Sequence, residues 1–220
     1  MTAEDRSLHL DNVAIRLADV ELLRITATIQ PGEVLTVMGP SGSGKSSLLD
    51  FVAGFLDPAF SASGHVAVGG KRIDALPPEK RHVGLLFQDP LLFPHMRVGE
   101  NLLFAMRAGN HAVSRSQREV LVRQALADAA MEGSFDRDPE TLSGGQKARV
   151  ALLRVLLSQP SALLLDEPFS RLDADLRSQM REFVFAQARR RELPVLLVTH
   201  DEADAQAAGG RVIRLGAVTR

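Results

Sequence analysis

Residues 39–46, with the sequence GPSGSGKS, restrict the possible folds more than any other stretch of this chain. They lie between a short apolar run, VLTVM, and a longer one, SLLDFVAGF, so we expect a strand, a glycine-rich turn and a helix in succession. Glycines at this spacing let backbone N–H groups curl around phosphate oxygens, and the helix N-terminus adds a favourable dipole. A flexible Gly/Ser loop is the alternative, but the strand, turn and helix context favours a phosphate-binding loop.

Two side chains of this phosphate loop (residues 39–46) are candidates for direct contacts with a nucleotide. Lys45 would reach the β and γ phosphates, and the Ser46 hydroxyl would coordinate Mg²⁺. The loop therefore predicts binding of a nucleoside triphosphate together with its metal ion.

Composition excludes several classes of protein. The chain has 220 residues, of which 45% are hydrophobic, so it is long enough to bury a sizeable core. Its 26 basic and 27 acidic residues nearly cancel, so we expect no nucleic-acid partner. It contains no cysteine, which excludes disulfides and thiolate metal sites. The start MTAEDRS is no secretory signal and the apolar runs are too short to span a bilayer, so we expect a soluble protein.

Runs typical of strands and of helices alternate along the chain. LRITATI, VLTVM, HVAVGG, VGLLFQ, ALLLD and VLLVT predict strands, and helical periodicity dominates residues 90–157. Strands that alternate with helices favour an α/β fold built on a parallel sheet. We therefore predict one domain over residues 1–220, with its core at about 1–89 and 158–220 and an inserted helical subdomain at about 90–157.

Two adjacent carboxylates, Asp166 and Glu167, follow the apolar run ALLL. The carboxyl ends of parallel strands are where open sheets bind their ligands. Asp166 would hold Mg²⁺ through water, and Glu167 is the candidate for polarising an attacking water. An ordinary Asp-Glu-Pro turn at a strand end is the alternative.

The stretch LSGGQ, which we call the double-glycine segment (residues 142–146), predicts a second anion site. Ser143 and the N–H groups of Gly144 and Gly145, at the start of a helix, suit a γ-phosphate. The phosphate loop already accounts for one nucleotide, so this segment calls for a different explanation. A simple glycine cap of a helix is the alternative.

GPSGSGKS, LSGGQ, ALLLDEP and VLLVTHD, in this order, resemble the ATP-binding subunit of an ABC transporter, and the resemblance covers essentially the whole chain. It implies a P-loop NTPase fold with a RecA-like, mainly parallel sheet core, an N-terminal antiparallel β region and the inserted helical subdomain. It also implies a homodimer in which LSGGQ of one chain closes over the ATP held by the phosphate loop of the other. The implied cofactors are ATP and Mg²⁺, and the implied activity is ATP hydrolysis.

Other residues take implied roles from their places in the family's motifs. Gln88 resembles the glutamine that senses Mg²⁺ and the attacking water, and His200 the switch histidine that contacts the γ-phosphate. Asp173 resembles a loop aspartate that crosses the dimer, although alanine is more usual where Arg171 stands. The implied catalytic residues are Glu167, His200, Gln88 and Lys45, and the implied metal ligands are Ser46, Gln88 and Asp166. The implied nucleotide-binding residues are Gly39, Pro40, Ser41, Gly42, Ser43, Gly44, Lys45, Ser46, Ser47, Ser143, Gly144, Gly145, Gln146 and Asp173.

The segment FQDPLLFPHMRVGENLLFAM resembles bacterial importer subunits for thiamine, iron, sulfate or polyamines. In those, apolar residues after the glutamine receive a short cytoplasmic helix of the membrane permease. The candidates here are Leu91, Leu92, Phe93 and Met96, and a buried hairpin is the alternative. The implied partners are integral-membrane permease subunits and a periplasmic or surface solute-binding protein. The implied location is the cytoplasmic face of the cell membrane.

Two other functions compete with import. An exporter or lipoprotein-release ATPase has a similar size, and only the segment after Gln88 argues against it. A nucleic-acid ATPase of the same superfamily would need a long coiled-coil insertion or a second phosphate loop, and the sequence has neither. Many importer subunits carry a C-terminal regulatory domain; because this sequence ends at Arg220, we expect regulation without one.

The base of the nucleotide poses a separate question. ABC subunits usually stack the adenine on an aromatic side chain upstream of the phosphate loop, which falls near Arg16 and Leu17 here. The chain has no Tyr and no Trp, and its first Phe is Phe51. We therefore expect Arg16 to lay its guanidinium on the base, Leu17 to offer only apolar contact, and ATP and GTP to be poorly distinguished.

Overall fold

The structure is a computed structural model, and it describes residues 5–106 and 114–216. These residues form two compact units. The second unit comprises Leu86–Pro160 together with Pro168–Val184, and the first comprises the rest of the described chain. Within the described residues, no helix is both long enough and apolar enough to cross a membrane.

Nine strands and seven α-helices are assigned along the described chain. The strands are β1 (Leu8–Leu17), β2 (Val20–Ile29), β3 (Val34–Met38), β4 (Phe60–Val68), β5 (Lys71–Arg72), β6 (Val83–Leu86), β7 (Ala162–Asp166), β8 (Val195–Thr199) and β9 (Arg211–Arg214). The helices are α1 (Lys45–Ala53), α2 (Pro78–Arg81), α3 (Val98–Ala105), α4 (Arg115–Asp128), α5 (Gly144–Leu157), α6 (Ala174–Arg190) and α7 (Glu202–Ala208).

An antiparallel sheet with the strand order β2-β1-β4-β5 lies in the first unit. Its central strand β1 pairs with β2 on one side and with β4 on the other. The buried side chains of β1, such as Leu10 and Ile15, belong to the core of this unit. Pairing with β4 places Leu17, at the end of β1, opposite Phe60, which is far away in the sequence.

The second sheet has the order β6-β7-β8-β3-β9. β8 runs parallel to both β3 and β7, and β9 runs parallel to β3. All residues of β3 and β8 are buried, which explains their unbroken apolar runs, because a parallel sheet is covered on both faces. Parallel strands end at one edge, so the segments that follow Met38, Asp166 and Thr199 come together there.

Three helices dominate the second unit. α3, α4 and α5 pack on one another around a core that includes Val98, Leu102, Leu126 and Val150. Both α4 and α5 begin with a serine whose side chain caps the helix, so their starts are specified locally.

The predicted fold class is confirmed: an N-terminal antiparallel sheet, a mainly parallel sheet and a helical region are all present. The pattern of the sequence did not predict α7 and β9, whose sequences EADAQAA and RVIR are short and carry little periodicity. β9 is recognisable as a strand only through its pairing with β3. The subdomain boundaries stay a prediction, and the second unit also takes in Pro168–Val184.

Candidate nucleotide-binding site

The phosphate loop joins the end of β3 to the start of α1, as the sequence predicts. Gly42 and Gly44 have φ angles of 80° and 83°, in the left-handed region that residues with a Cβ rarely adopt. Gly44 is the N-cap residue of α1, and Lys45 is the first residue of the helix. The loop therefore presents the first-turn N–H groups of a helix, the arrangement that binds anions.

The Lys45 side chain lies against the loop itself. Its Nζ donates to the carbonyl oxygens of Gly39 and Pro40, at 2.8 Å in each case. The residue is only 6% exposed, and burial lowers the pKa of its ammonium group. The carboxylates of Glu167 and Asp166 oppose that shift, which shows that both lie within electrostatic reach of Lys45.

Ser46 and Asp166 form a pair of oxygen donors. Ser46 Oγ donates to Asp166 Oδ1 at 3.1 Å. Burial raises the pKa of Asp166, and the hydrogen bond from Ser46 works against that shift. A hydroxyl next to a carboxylate suits Mg²⁺, which binds few protein oxygens and keeps several waters. The two residues therefore fit the predicted metal ion.

Glu167 and His200 meet at the same edge of the sheet. His200 Nδ1 lies 3.0 Å from Glu167 Oε1, and the N–H of Glu167 donates to the carbonyl oxygen of Val198 at 2.9 Å. Glu167 has a φ of 44°. A left-handed conformation at a residue with a side chain costs about 1–3 kcal/mol, and Glu167 shares it with described residues outside the site, such as Ala18 and His82. The sequence does not show this conformation.

A cavity of about 300 Å³ opens beside the phosphate loop. Its polar lining consists of predicted site residues: Ser41, Gly42, Gly44, Lys45, Ser46, Ser47 and Glu167. Its apolar lining consists of Leu17, Leu22 and Phe60. Ser43 is buried instead, with its Oγ donating to the carbonyl oxygen of Pro40 at 2.9 Å, and so supports the loop from within.

Phe60 is a site residue that the sequence analysis missed. It begins β4, and only antiparallel pairing with β1 brings it opposite Leu17. The expectation for Arg16 stays a prediction that this geometry does not favour, because Arg16 is not among the described residues that line the cavity. Its Nη2 donates to Glu21 Oε2 at 3.0 Å instead. The available signal was an aromatic residue at the start of a strand able to pair with β1.

The double-glycine segment begins α5 in the second unit. Ser143 Oγ accepts a hydrogen bond from the N–H of Gln146 at 3.3 Å, and Gln146 Oε1 accepts one from the N–H of Ser143 at 3.1 Å. This reciprocal pair is a capping box, which fixes the first turn of the helix. Ser143 and Gln146 thus have a structural role that does not depend on a ligand.

The two glycines of the segment differ in their surroundings. Gly145 is buried, and a Cβ at this position would overlap the side chain of Leu176. Gly144 is exposed, and a Cβ there would meet nothing within 4 Å. Packing therefore explains the glycine at 145 and leaves the glycine at 144 unexplained.

Gln88 and Asp173 also lie in the second unit. Gln88 Nε2 donates to Ser170 Oγ at 2.9 Å, and the neighbouring Asp89 forms an ion pair with Arg171. Asp173 Oδ1 accepts from the N–H of Leu176 at 3.0 Å, in the first turn of α6. Of the predicted site residues, the phosphate loop, Asp166, Glu167 and His200 are therefore in the first unit, and Gln88, Asp173 and the double-glycine segment are in the second.

The predicted docking residues have unequal surroundings. Leu92 packs against the core of the second unit, and the Phe93 ring contacts the Phe104 ring edge-on, with centroids 5.1 Å apart. Leu91 is 56% exposed. A nearby cavity of about 390 Å³ is lined by Met96, by Leu103 and Phe104, and by the polar residues His95, Glu100, Arg115 and Arg118. Only Met96 of the four predicted residues lines it.

The fold and site together define a P-loop NTPase, in which a phosphate loop precedes a helix and carboxylates end a neighbouring strand. The family model described as ABC transporter matches residues 22–170. The chain therefore belongs to the ABC transporter family, as an ATP-binding subunit with ATPase activity.

Two relatives support this assignment. The chain is 48% identical over 201 residues to the uncharacterized ABC transporter ATP-binding protein YnjD of Escherichia coli (strain K12), and the alignment covers 91% of each chain. It is 41% identical over 194 residues to the maltose/maltodextrin import ATP-binding protein MalK of Yersinia pestis bv. Antiqua (strain Antiqua). That alignment covers 88% of this chain and 51% of MalK, so the chain spans about half the length of that relative.

Proposed function

We propose that two copies of this chain form a homodimer around two ATP molecules and power solute import through partner membrane permease subunits. The observation that carries the proposal lies in the first unit: Lys45, the Ser46–Asp166 pair and the Glu167–His200 pair follow the ends of neighbouring strands. A cation, oxygen ligands for a metal and a candidate base are the parts that phosphoryl transfer to water requires.

In this proposal, Glu167 takes a proton from the attacking water. His200, at 3.0 Å from the Glu167 carboxylate, orients that carboxylate and contacts the γ-phosphate. Lys45 stabilises negative charge on the β and γ phosphates as the bond breaks. Ser46 and Asp166 would hold Mg²⁺, which would neutralise negative charge on the phosphates.

The dimer accounts for the residues of the second unit that local packing does not explain. Gly144 is exposed at the start of α5, where a side chain would meet nothing within 4 Å, so a phosphate can approach the backbone closely. Ser143, Gly145 and Gln146 complete this anion site. Because each chain has one phosphate loop, the γ-phosphate bound here belongs to an ATP held by the second copy. Gln88 and Asp173 keep the roles that the family resemblance implies for them.

Import is favoured by the similarity to MalK, whose name describes an import protein. The cavity of the second unit is lined both by the apolar residues Met96, Leu103 and Phe104 and by polar or charged residues, which suits a short amphipathic helix. We assign that helix to the permease, so the chain works at the cytoplasmic face of the membrane. A periplasmic or surface solute-binding protein delivers the solute to the same permease.

The substitution Glu167→Gln tests the chemistry and the dimer together. It keeps the shape of the side chain but removes the base, so turnover should fall at least about 100-fold while ATP binding persists. Size-exclusion chromatography should then show an ATP-dependent dimer that is absent with ADP. Glu79→Gln, at an exposed glutamate of α2, is the matched control and should hydrolyse ATP normally. A Glu167→Gln chain that stays monomeric in ATP contradicts the shared site, and retained turnover contradicts the role of Glu167.

The permease contact is tested by Phe104→Asp, because Phe104 is 64% exposed and lines the cavity. The variant should lose co-purification with an integral-membrane permease from native membranes, and ATP hydrolysis by the purified chain should persist. Phe55→Asp, at a phenylalanine that is 61% exposed in the first unit, is the control. Unchanged co-purification of the Phe104 variant would place the contact elsewhere.

A further inference from the structure

The cavity beside the phosphate loop combines two kinds of lining. The loop residues and Lys45 suit phosphate groups, whereas Leu17, Leu22 and Phe60 offer only apolar surface. A ligand that fills both parts carries phosphates on one side and a flat apolar group on the other. A nucleotide has that construction, with its base as the flat group.

The register of β1 decides which of its side chains can face the base. Leu17 pairs with Phe60 of β4, so the two side chains share one face of the sheet. Arg16 is the next residue along the strand and therefore points to the opposite face. There it pairs with Glu21 in the register and forms an ion pair with its carboxylate at 3.0 Å. Arg16 is thus directed away from the apolar part of the cavity.

Phe60 is held in place before any ligand binds. Its side chain is half-buried and packs against the core of the first unit, while part of it lines the cavity. The N–H of Phe60 donates to the carbonyl oxygen of Asp57 at 2.9 Å, which fixes the start of β4. Leu22 also packs against that core and lies close to Gly44 of the phosphate loop, so the apolar lining adjoins the loop.

We propose that Phe60 is the residue that stacks on the nucleotide base, with Leu17 and Leu22 packing on the base beside it. This inference rests on the proposed use of the phosphate loop to bind the triphosphate. The ring on β4 thereby replaces the aromatic side chain that β1 lacks. Because these three side chains carry no hydrogen-bonding group, they recognise a purine by shape and stacking, and they bind ATP and GTP with similar affinity.

The composition of the chain makes a direct test possible. The natural sequence has no Trp and no Tyr, so Phe60→Trp introduces one fluorescent residue at the proposed contact. ATP and GTP should both quench its emission, and inorganic tripolyphosphate, which has no base, should not. Phe55→Trp is the matched control, because Phe55 is 61% exposed and does not line the cavity, and its emission should not respond. Equal responses of Phe60→Trp to ATP and tripolyphosphate would overturn the proposal.

Affinity measurements separate this inference from the proposed site. Phe60→Ala should weaken ATP binding about 10- to 100-fold and leave tripolyphosphate binding unchanged. Arg16→Ala should change neither. Lys45→Ala should weaken both ligands, and if it does not, the proposed phosphate site itself fails. If Lys45→Ala weakens both ligands but Phe60→Ala binds ATP normally, only the assignment of Phe60 is wrong. A folded Phe60→Leu variant with the same loss of ATP affinity excludes a general folding defect.

Discussion

In the phosphate loop, Gly42 and Gly44 take left-handed conformations, and Lys45 donates to two carbonyl oxygens of the loop. In the double-glycine segment, Gly144 and Gly145 are ordinary helical residues, and a capping box fixes the turn. Similar residue types therefore serve different ends. The phosphate loop needs glycine for its backbone conformation, whereas the second segment needs it at position 145 only for packing against Leu176.

The comparison shows which glycines the chain's own structure explains. Backbone conformation explains those at 42 and 44, and contact with Leu176 explains the one at 145. Neither reason applies to Gly144, and the proposed approach of a phosphate from outside the chain would explain it. Substitutions at Gly144, Gly145 and Ser143 test this division, and a substitution at Asp166 tests the surroundings of the phosphate loop.

The largest contrast is expected between Gly145→Ala and Gly144→Ala. Overpacking against Leu176 should lower the free energy of unfolding by about 1–3 kcal/mol in Gly145→Ala. Gly144→Ala should be neutral or stabilising by up to about 1 kcal/mol, because alanine favours a helix, yet it should weaken ATP-dependent dimerisation. Urea denaturation and size-exclusion chromatography measure the two effects. Equal stability losses in both variants would refute the division, and Leu176→Ala should cost less stability in the Gly145→Ala chain than in the natural chain.

A smaller effect is expected from the cap of α5. Ser143→Ala removes the acceptor for the Gln146 N–H and should cost about 1 kcal/mol of stability. Ser143→Asp keeps an acceptor and should preserve stability, but its negative charge should repel a γ-phosphate and abolish the ATP-dependent dimer. Thermal unfolding and chromatography with ATP distinguish the two roles. If the aspartate variant dimerises normally, Ser143 is a helix cap and nothing more.

The smallest effect is expected at Asp166, beside the phosphate loop. Burial raises the pKa of Asp166 above the usual range of an aspartate, so the ionised carboxylate is disfavoured in the folded chain without nucleotide. Its contribution to stability is fully present below the unfolded-state pKa and is lost as the pH rises through the folded-state pKa. Asp166→Asn should therefore raise the unfolding temperature at pH 7, and the gain should shrink as the pH falls towards 4. Asp19→Asn, at an exposed turn, is the control, and a gain independent of pH would contradict the burial argument.

Much of the site was predictable because its parts are local. The phosphate loop needs only a strand, a turn and a helix in succession, and Asp166 and Glu167 directly follow an apolar strand. Parallel pairing then brings Glu167 and His200 to one edge, an arrangement that the predicted sheet already implies. The strained φ of Glu167 could not be predicted, because it depends on how the sheet edge holds that residue.

Two parts of the molecule show the limits of prediction most clearly: the residues proposed to contact the nucleotide base, and the double-glycine segment. Local periodicity and motif spacing predict most of the strands and helices and the phosphate loop, since each depends on residues close together in the sequence. Tertiary structure alone brings Phe60 opposite Leu17, turns Arg16 towards Glu21 and places Leu176 over Gly145. The Leu17–Phe60 and Gly145–Leu176 contacts join residues that are distant in sequence, and the Arg16–Glu21 contact depends on the register of β1 and β2. Their geometry depends on strand register and helix packing, which single-residue patterns do not encode.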